Sequence, residues 1–177
     1  MLLDHLPPDP LSVVDVGSGG GLPGLPLKMA RPSLALALIE ANRRKAAFLV
    51  QAVAQLGLTG VEVLPRRAED VGRDPIHRER YDVAVARAVA SLPVLVELCL
   101  PLVAVGGRML AMKTPVAGEV DSARAAIERL GGRLETVAAA PSEARTRGQV
   151  VVVAKVAPTP AEFPRRPGVP GRRPLAG

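Results

Sequence analysis

A carboxylate followed by a run of glycines is the part of this sequence most suited to chemistry. Asp15 ends an apolar run, and five glycines follow within the eight positions from Gly17 to Gly24. Glycine lets a backbone approach a ligand closely, and the spacing Gly19-x-Gly21-x-x-Gly24 fits a dinucleotide-binding turn. Asp15 would repel a pyrophosphate there, but it could hold the ammonium group of a methionine moiety, which S-adenosylmethionine presents. The stretch therefore favours S-adenosylmethionine over a dinucleotide, and a ligand-free turn capped by Asp15 is the third interpretation.

The ends of the other apolar segments carry further residues with useful chemistry. Glu40 ends an apolar run about twenty residues after the glycines, where Rossmann-like sites keep the acid that binds ribose hydroxyls. A carboxylate that starts the next helix is the other interpretation of Glu40. Arg87 and Lys113 end two later segments and are the candidates for binding an anionic substrate. Ligands bind beyond the carboxyl ends of parallel strands, so these residues should surround one site, and none of them is assigned as a catalytic acid, base or nucleophile.

The hydrophobic pattern predicts the elements that position this site. Strands are predicted at about 11–16, 34–39, 61–64, 81–86, 108–112, 134–139 and 150–156. Helices are predicted at about 24–31, 42–56, 92–102 and 118–130. The predicted fold is α/β and Rossmann-like, with a mostly parallel seven-stranded sheet whose last two strands form an antiparallel hairpin at the edge.

Two terminal segments differ in composition from the predicted domain at 11–157. Residues 1–10, with three prolines, are expected to form a lead-in without regular structure. Residues 158–177 contain six prolines and four arginines against one acid. Such a segment is expected to be extended or disordered until it binds a polyanion, so cutting after Ala157 should leave the melting temperature and the cofactor affinity nearly unchanged. The sequence allows two interpretations of this segment: a solvated tail, or an arm that contacts RNA.

Composition bounds the class of protein. The 177 residues carry a net charge of +6 and are 48% hydrophobic, which is typical of one globular domain. One cysteine and the lack of a membrane-spanning or signal-type stretch predict a cytoplasmic protein, which we expect to be a monomer. The positive charge suggests a polyanionic partner, while only three aromatic residues argue against a base-stacking platform. No cysteine or histidine cluster has the spacing of metal ligands, so no metal is predicted.

The residues near the site also limit which atom of a substrate could accept a methyl group. Methylation of exocyclic base amines commonly uses an Asp/Asn/Ser-Pro-Pro-aromatic turn, and here the turn is Ala86-Arg87-Ala88. Methylation at a pyrimidine carbon needs a cysteine nucleophile, but Cys99 lies in an apolar helix and is expected to be a buried structural thiol. His77 is expected at the surface. Guanine N7 has its own lone pair and needs no deprotonation, so a site without an evident base suits it.

Five motifs occur in order along the chain. They are Asp-Val-Gly-Ser-Gly-Gly-Gly-Leu-Pro-Gly-Leu-Pro at 15–26, Glu-Ala-Asn-Arg-Arg-Lys-Ala-Ala-Phe-Leu at 40–49, Arg-Ala-Glu at 67–69, Ala-Arg-Ala-Val-Ala-Ser-Leu at 86–92, and Phe-Pro-Arg-Arg-Pro-Gly-Val-Pro at 163–170. Together they resemble the small-subunit rRNA guanine-N7 methyltransferases, the family also called RsmG or glucose-inhibited division protein B. The resemblance covers about residues 11–177, and the last motif is similar to the family's terminal Tyr-Pro-Arg-Lys/Arg-Pro-Gly-x-Pro.

The resemblance implies a class I S-adenosylmethionine-dependent methyltransferase that modifies N7 of one guanine in the decoding region of 16S rRNA, at position 527. Its partner would be 16S rRNA or the small ribosomal subunit. Family cofactor positions carry over onto Gly17, Leu22, Ala68, Glu69 and Arg87, and the residue argument adds Asp15, Gly19, Gly21 and Glu40. The basic candidates for RNA binding are Arg43, Arg44, Lys45, Arg147, Arg165, Arg166, Arg172 and Arg173. Family members usually carry several dozen helical residues before the first strand, so we expect that those helices are missing here.

Three other functions compete with rRNA methylation. A small-molecule methyltransferase would leave the basic C-terminal residues unexplained. A cofactor- and RNA-binding remnant with little activity is favoured if the family's N-terminal helices are essential. A nicotinamide dehydrogenase is opposed by Asp15. Titration with S-adenosylhomocysteine and NAD separates the last from the others, and a methyl-transfer assay on rRNA separates an enzyme from a remnant.

Overall fold

A mixed sheet of seven strands is covered by helices on both faces in the computed structural model, which describes residues 2–8, 11–87, 90–114, 118–140 and 148–175. The strands are β1 Ser12–Val16, β2 Ala35–Ile39, β3 Val61–Leu64, β4 Tyr81–Arg87, β5 Val103–Lys113, β6 Gly132–Ala139 and β7 Gln149–Lys155. The helices are α1 Gly24–Ala30, α2 Arg43–Gln55, α3 Ala68–Val71, α4 Leu92–Cys99, α5 Glu119–Arg129 and α6 Val169–Arg172, with 3₁₀ turns at Leu2–His5 and Leu100–Leu102. None of the described helices is long and apolar enough to cross a membrane.

The strand order explains where a ligand can bind. The order is β3-β2-β1-β4-β5-β7-β6, with β1 to β5 parallel and β7 antiparallel to both of its neighbours. The chain moves outward in one direction from β1 to β3 and then in the other from β4, so a crevice opens between the carboxyl ends of β1 and β4. The predicted parallel sheet with an antiparallel edge pair is confirmed.

Alternating residues of the central strands form two separate apolar layers. Val13, Val83 and Val85 face the layer that contains Leu25 of α1 and Leu49 of α2. The residues between them on β1 and β4 face the layer with α4 and α5. Both faces of β1 and β4 are therefore buried at their centres, which is why runs such as Val13–Val14 and Val83–Ala86 are apolar without alternation.

The fifth strand starts earlier than its predicted first residue, Arg108. Gly106 and Gly107 lie inside β5, where the pairing with β4 shifts between Tyr81 and Val83. A Cβ atom on Gly107 would lie 2.5 Å from the carbonyl oxygen of Asp82. The two glycines therefore form an irregularity within β5 and are not a turn that precedes the strand.

Two expectations about irregular segments are wrong. The lead-in contains the 3₁₀ turn at Leu2–His5, because Leu2 is apolar and packs into the layer with Leu11 and Val13. His77 is buried, with 7% of its surface exposed, and its Nδ1 lies 2.8 Å from the Tyr81 hydroxyl. Cys99 is buried as expected, and burial raises the pKa of its thiol above the ordinary value.

The expectation that the C-terminal residues stay outside the fold is also wrong. Phe163 is 2% exposed and lies in the apolar layer under α4, with the Arg129 guanidinium 5.0 Å from its ring centre. Arg78 donates to the carbonyl oxygens of Phe163 and Thr159, each at 2.7 Å. Carbonyl groups that a proline-rich segment cannot pair within itself are thus paired with arginines of the domain. We call residues 158–175 the C-terminal strap.

Candidate active site

The glycine turn after β1 has a backbone that requires glycine at several positions. Gly17, Gly19 and Gly21 have φ angles of 73°, 57° and 89°. A Cβ atom on Gly24 would lie 2.8 Å from Oδ2 of Asp15. These glycines allow the turn to pass over the end of β1 and bring the start of α1 against the Asp15 carboxylate.

Asp15 lies under this turn with none of its surface exposed. Its Oδ2 accepts a hydrogen bond from the Gly24 N–H at 2.9 Å. Its Oδ1 is the one buried side-chain nitrogen or oxygen in the described part of the chain that has no hydrogen-bond partner. Burial raises the pKa of Asp15 to about 7, against the opposing effects of the Gly24 N–H and the Arg87 cation. An unpartnered buried carboxylate oxygen is costly, and a cationic ligand group would offset that cost.

Glu40 joins the glycine turn to the start of α2. Its Oε2 accepts from the Gly19 N–H at 2.9 Å, and its Oε1 accepts from the Asn42 N–H at 2.8 Å. Asn42 itself caps α2 through its side-chain oxygen. The carboxylate therefore organises the helix start, and it also faces the pocket described next.

A pocket of about 380 Å³ opens at the carboxyl ends of β1 to β4, a size within the range of small-molecule sites. Seven of the nine predicted cofactor residues line it: Gly17, Gly19, Leu22, Glu40, Ala68, Glu69 and Arg87. The other two are Asp15, which lies beneath the turn, and Gly21, which packs against Leu25 of α1. The seven lining residues come from four separate segments of the sequence, which the fold brings together.

Several lining residues were not predicted for this pocket. They include Ser18, Arg66, Arg67, Leu98 and Lys45, the last of which was predicted only for RNA binding. Arg66 pairs with Asp74 at 2.7 Å, and Arg67 pairs with Glu69 at 3.3 Å. Arg66 and Arg67 follow shortly after the end of β3, and residues at strand ends line the ligand site in this architecture. Their position could therefore have predicted that they line the pocket.

A second groove, of about 270 Å³, adjoins the pocket and shares Leu22 and Arg87 with it. Its walls are mainly apolar: Leu2, Leu3, Pro23, Pro26, Leu27 and Met112. Lys113 also lines the groove, but its Nζ already bonds to the Ala90 carbonyl oxygen at 2.9 Å and to Glu119 Oε2 at 2.8 Å. Lys113 therefore connects the segment before α4 to α5. The prediction that its ammonium group is free to bind an anionic substrate is wrong.

The basic residues predicted for RNA binding fall into three groups. Six are exposed on α2 and the strap: Arg43, Arg44, Lys45, Arg166, Arg172 and Arg173. Arg165 is bound to the buried carboxylate of Glu97 by Nε at 2.8 Å and Nη2 at 2.5 Å, so its assignment to RNA is wrong. Arg147 lies outside the described residues.

The fold is the Rossmann-like fold of S-adenosylmethionine-dependent methyltransferases. A SAM-dependent methyltransferase from Aquifex aeolicus matches with a TM-score of 0.65 at 20% identity, over 88% of this chain and 87% of that chain. A mutant of the 16S rRNA (adenine(1408)-N(1))-methyltransferase from Catenulisporales acidiphilia matches with a TM-score of 0.70 at 12% identity, over 84% and 87% of the two chains. At these identities the likeness is one of fold.

The sequence comparisons are more specific. The family model for rRNA small subunit methyltransferase G, GidB, matches residues 2–147. The ribosomal RNA small subunit methyltransferase G of Roseiflexus sp. (strain RS-1) is 56% identical over 170 residues, which cover 94% of this chain and 71% of that protein. The protein of the same name from Pelotomaculum thermopropionicum is 51% identical over 169 residues, with the same coverage. The chain therefore belongs to the rRNA small subunit methyltransferase G family.

Proposed function

We propose that this protein transfers a methyl group from S-adenosylmethionine to N7 of one guanine in the decoding region of 16S rRNA, guanine 527. The observation that carries the proposal is a pair of adjoining cavities at the strand ends, joined at Leu22 and Arg87, in a chain of this family. The larger cavity would hold the cofactor and the smaller one the base. The proposal implies a cytoplasmic protein that acts as a monomer on 16S rRNA or the small subunit.

The larger pocket, together with the carboxylate beneath its glycine turn, fits S-adenosylmethionine. The unpartnered Oδ1 of Asp15 is suited to accept a hydrogen bond from an ammonium group. Each oxygen of the Glu40 carboxylate accepts one backbone N–H and keeps a lone pair for a ribose hydroxyl. Gly20, where an added Cβ would have no atom within 4 Å, leaves the backbone of the turn open to a ligand.

The chemistry requires little of the protein beyond position. When bound, S-adenosylmethionine would supply an electrophilic methyl group on a sulfonium. The lone pair of N7 would form the new N–C bond as the methyl–sulfur bond breaks, with S-adenosylhomocysteine as the leaving group, and the positive charge would pass to the methylated guanine without loss of a proton. Arg87 lines both cavities, so its guanidinium is suited to bind an acceptor oxygen or a phosphate near the base. The apolar walls of the groove would exclude water from the base. No general base is needed, and the two carboxylates that line the larger cavity, Glu40 and Glu69, accept hydrogen bonds from protein N–H groups.

The exposed basic residues support an RNA substrate. Arg43, Arg44 and Lys45 lie in the first turn of α2, and Lys45 also lines the pocket. The N-terminus of a helix carries a partial positive charge, so three cationic side chains there destabilise the helix. Their presence at this position therefore favours a role in binding an anion. Arg166, Arg172 and Arg173 are exposed on the strap. Phosphates of the rRNA are the partners that such residues bind best.

A methyl-transfer assay with radiolabelled cofactor tests the proposal on naked 16S rRNA and on small subunits that lack the modification. Borohydride and aniline cleave RNA at N7-methylated guanine, so one new cleavage at guanine 527 is expected. The Asp15→Asn variant, with its weaker cofactor binding, should give a reduced signal at the same position. Label in an adenine or a cytosine would contradict the N7 assignment, and transfer only to small molecules would contradict the rRNA substrate.

A further inference from the structure

The C-terminal strap reaches the wall of the cofactor pocket through one carboxylate. The N–H of Gly168 donates to Oε1 of Glu69 at 2.8 Å, across 99 positions of sequence. Glu69 lines the pocket, whereas none of the strap residues that the structure describes does. The strap therefore contacts Glu69, a residue of the pocket wall, from outside the pocket.

One oxygen of the Glu69 carboxylate, Oε1, is bonded to protein groups. Only 3% of the residue's surface is exposed, and Oε1 also accepts from Nη2 of Arg67 at 3.3 Å. Its backbone belongs to α3, which has four residues and is too short to be stable without tertiary contacts. The side chain therefore links a weak element of the pocket wall to the strap.

Two further contacts bring the strap against the end of α3. Nε of Arg73 donates to the carbonyl oxygen of Pro164 at 2.6 Å. A Cβ atom on Gly72 would lie 3.0 Å from Cγ of Pro164, so the strap packs directly against this turn. The position of Pro164 and Gly168 relative to α3 is thus determined by packing as well as by hydrogen bonds.

The strap is itself anchored to the core, so it can act as a fixed support. Glu97 on α4 has none of its surface exposed and accepts two side-chain bonds and one backbone bond from Arg165. At the start of the strap, Lys155 is bonded to Thr159, to the Leu100 carbonyl oxygen at 2.9 Å and to Glu79 at 3.0 Å. Buried charged groups with several partners resist displacement, because moving one leaves the others unpaired.

We propose that Glu69 is a positioning residue, held by the Gly168 N–H, that sets the turn between β3 and α3 and so allows the C-terminal strap to contribute to cofactor affinity from outside the pocket. The inference rests on the proposed function in one respect, namely that the pocket binds S-adenosylmethionine. It assigns the strap a role that differs from binding RNA.

Substitutions at Gly168 separate this role from general stability. Gly168 has a φ of 80°, which asparagine tolerates and valine does not, and an added Cβ would meet only the Arg172 side chain, at 3.8 Å. Gly168→Val should displace the N–H and weaken S-adenosylhomocysteine binding by up to about tenfold, the limit reached if binding must supply the energy of the lost charge-assisted hydrogen bond to reorder the turn. Gly168→Asn should bind like the wild type. Gly57→Val is the matched control, since Gly57 has a φ of 62° and no atom near an added Cβ, and it lies at the other end of α2 from the pocket.

Calorimetry with S-adenosylhomocysteine, together with melting temperatures, decides the matter. A loss of affinity in Gly168→Val that Gly57→Val does not share at a similar melting temperature supports the proposal. Equal affinity in Gly168→Val and the wild type would overturn it, while failure of the wild type to bind would overturn the cofactor assignment instead. Glu69→Leu gives a second test that does not strain the backbone, because it removes the acceptor of the Gly168 N–H. If the two residues act through this one bond, the double variant Glu69→Leu/Gly168→Val should lose no more affinity than the weaker-binding single variant, and additive losses would contradict the role of the hydrogen bond.

Discussion

Asp15 has two properties that oppose each other in the ligand-free protein. Its position at the end of β1 buries the carboxylate completely, which raises its pKa to about 7. Its hydrogen bond to Gly24 and its unpartnered Oδ1 suit the ionised form and a cationic ligand. The folded protein therefore takes up a proton at this site more readily than the unfolded chain does, and ligand binding should release that proton.

Because of the raised pKa of Asp15, the affinity for the cofactor product should fall as the pH is lowered. Below pH 7 the Asp15 carboxyl is mostly protonated in the free protein, so binding a ligand ammonium group must first remove the proton. Affinity for S-adenosylhomocysteine should fall by about tenfold between pH 8 and pH 6 in the wild type. Asp15→Asn should bind roughly 10- to 150-fold more weakly at pH 8, because it loses a charge-assisted contact of about 1.5–3 kcal/mol, and should lose the pH dependence.

Calorimetry across that pH range measures both effects. Asp82→Asn is the control, since Asp82 lies on the neighbouring strand β4 near its other end and bonds to Ser12. A pH profile in Asp15→Asn that matches the wild type would assign the titration to another group.

At the scale of elements, the strap and α4 are joined through a buried ion pair. Glu97 is completely buried, and the Arg165 side chain is 25% exposed. The hydrogen bonds to Glu97 hold the pKa of Arg165 above its usual range. A buried pair of this kind is most costly when one partner is removed, because the remaining charge has no compensation.

Two adjacent arginines of the strap should therefore respond differently to alanine. Arg165→Ala should destabilise the protein by about 3–5 kcal/mol, since it removes the cation and both side-chain hydrogen bonds of the buried Glu97 carboxylate and leaves only the backbone N–H. Arg166→Ala changes an exposed residue and should stay within about 0.5 kcal/mol of the wild type. Urea unfolding of the two variants measures the difference. Equal stabilities would mean that the ion pair does not hold the strap in solution.

At the scale of the whole molecule, the net charge of +6 is distributed between structural and surface roles. Arg165 and Arg78 are used inside the protein, where they bind a carboxylate and backbone carbonyl groups. Arg166, Arg172 and Arg173 remain exposed on the strap. Removing the whole strap would thus remove both a stabilising element and a basic surface, so truncation after Ala157 should lower the melting temperature.

The surface role can be isolated by substituting the three exposed arginines together. Each could displace a counterion from RNA, at about 0.7 per phosphate on a single strand. The triple alanine variant of Arg166, Arg172 and Arg173 should therefore flatten the slope of log affinity against log salt by up to ~2, with an unchanged melting temperature. RNA affinity measured over a salt series gives the slopes. Equal slopes for the triple variant and the wild type would exclude these residues from phosphate contact.

Local patterns in the sequence determined the sheet and most of the lining of the pocket at the strand ends. Apolar runs such as 34–39 predict strands buried on both faces, and the glycine turn after β1 predicts a close approach of the backbone to a ligand. Parallel strands bring their carboxyl ends to one edge of the sheet. For that reason the sequence alone predicts that Gly17, Glu40 and Arg87 surround one pocket, and all three line it.

The tertiary structure alone decided how the charged residues are used. The strap has no apolar periodicity, and it is held by contacts between distant residues, such as Arg165 with Glu97, 68 positions apart, and Arg78 with Phe163, 85 positions apart. A sequence pattern reports neighbours within a few positions, so it could not distinguish an arginine bound to a buried carboxylate from one in solvent. The same reason applies to Lys113, whose partner Glu119 lies on a different element. Whether a charge is available to a ligand depends on which groups folding has already placed beside it.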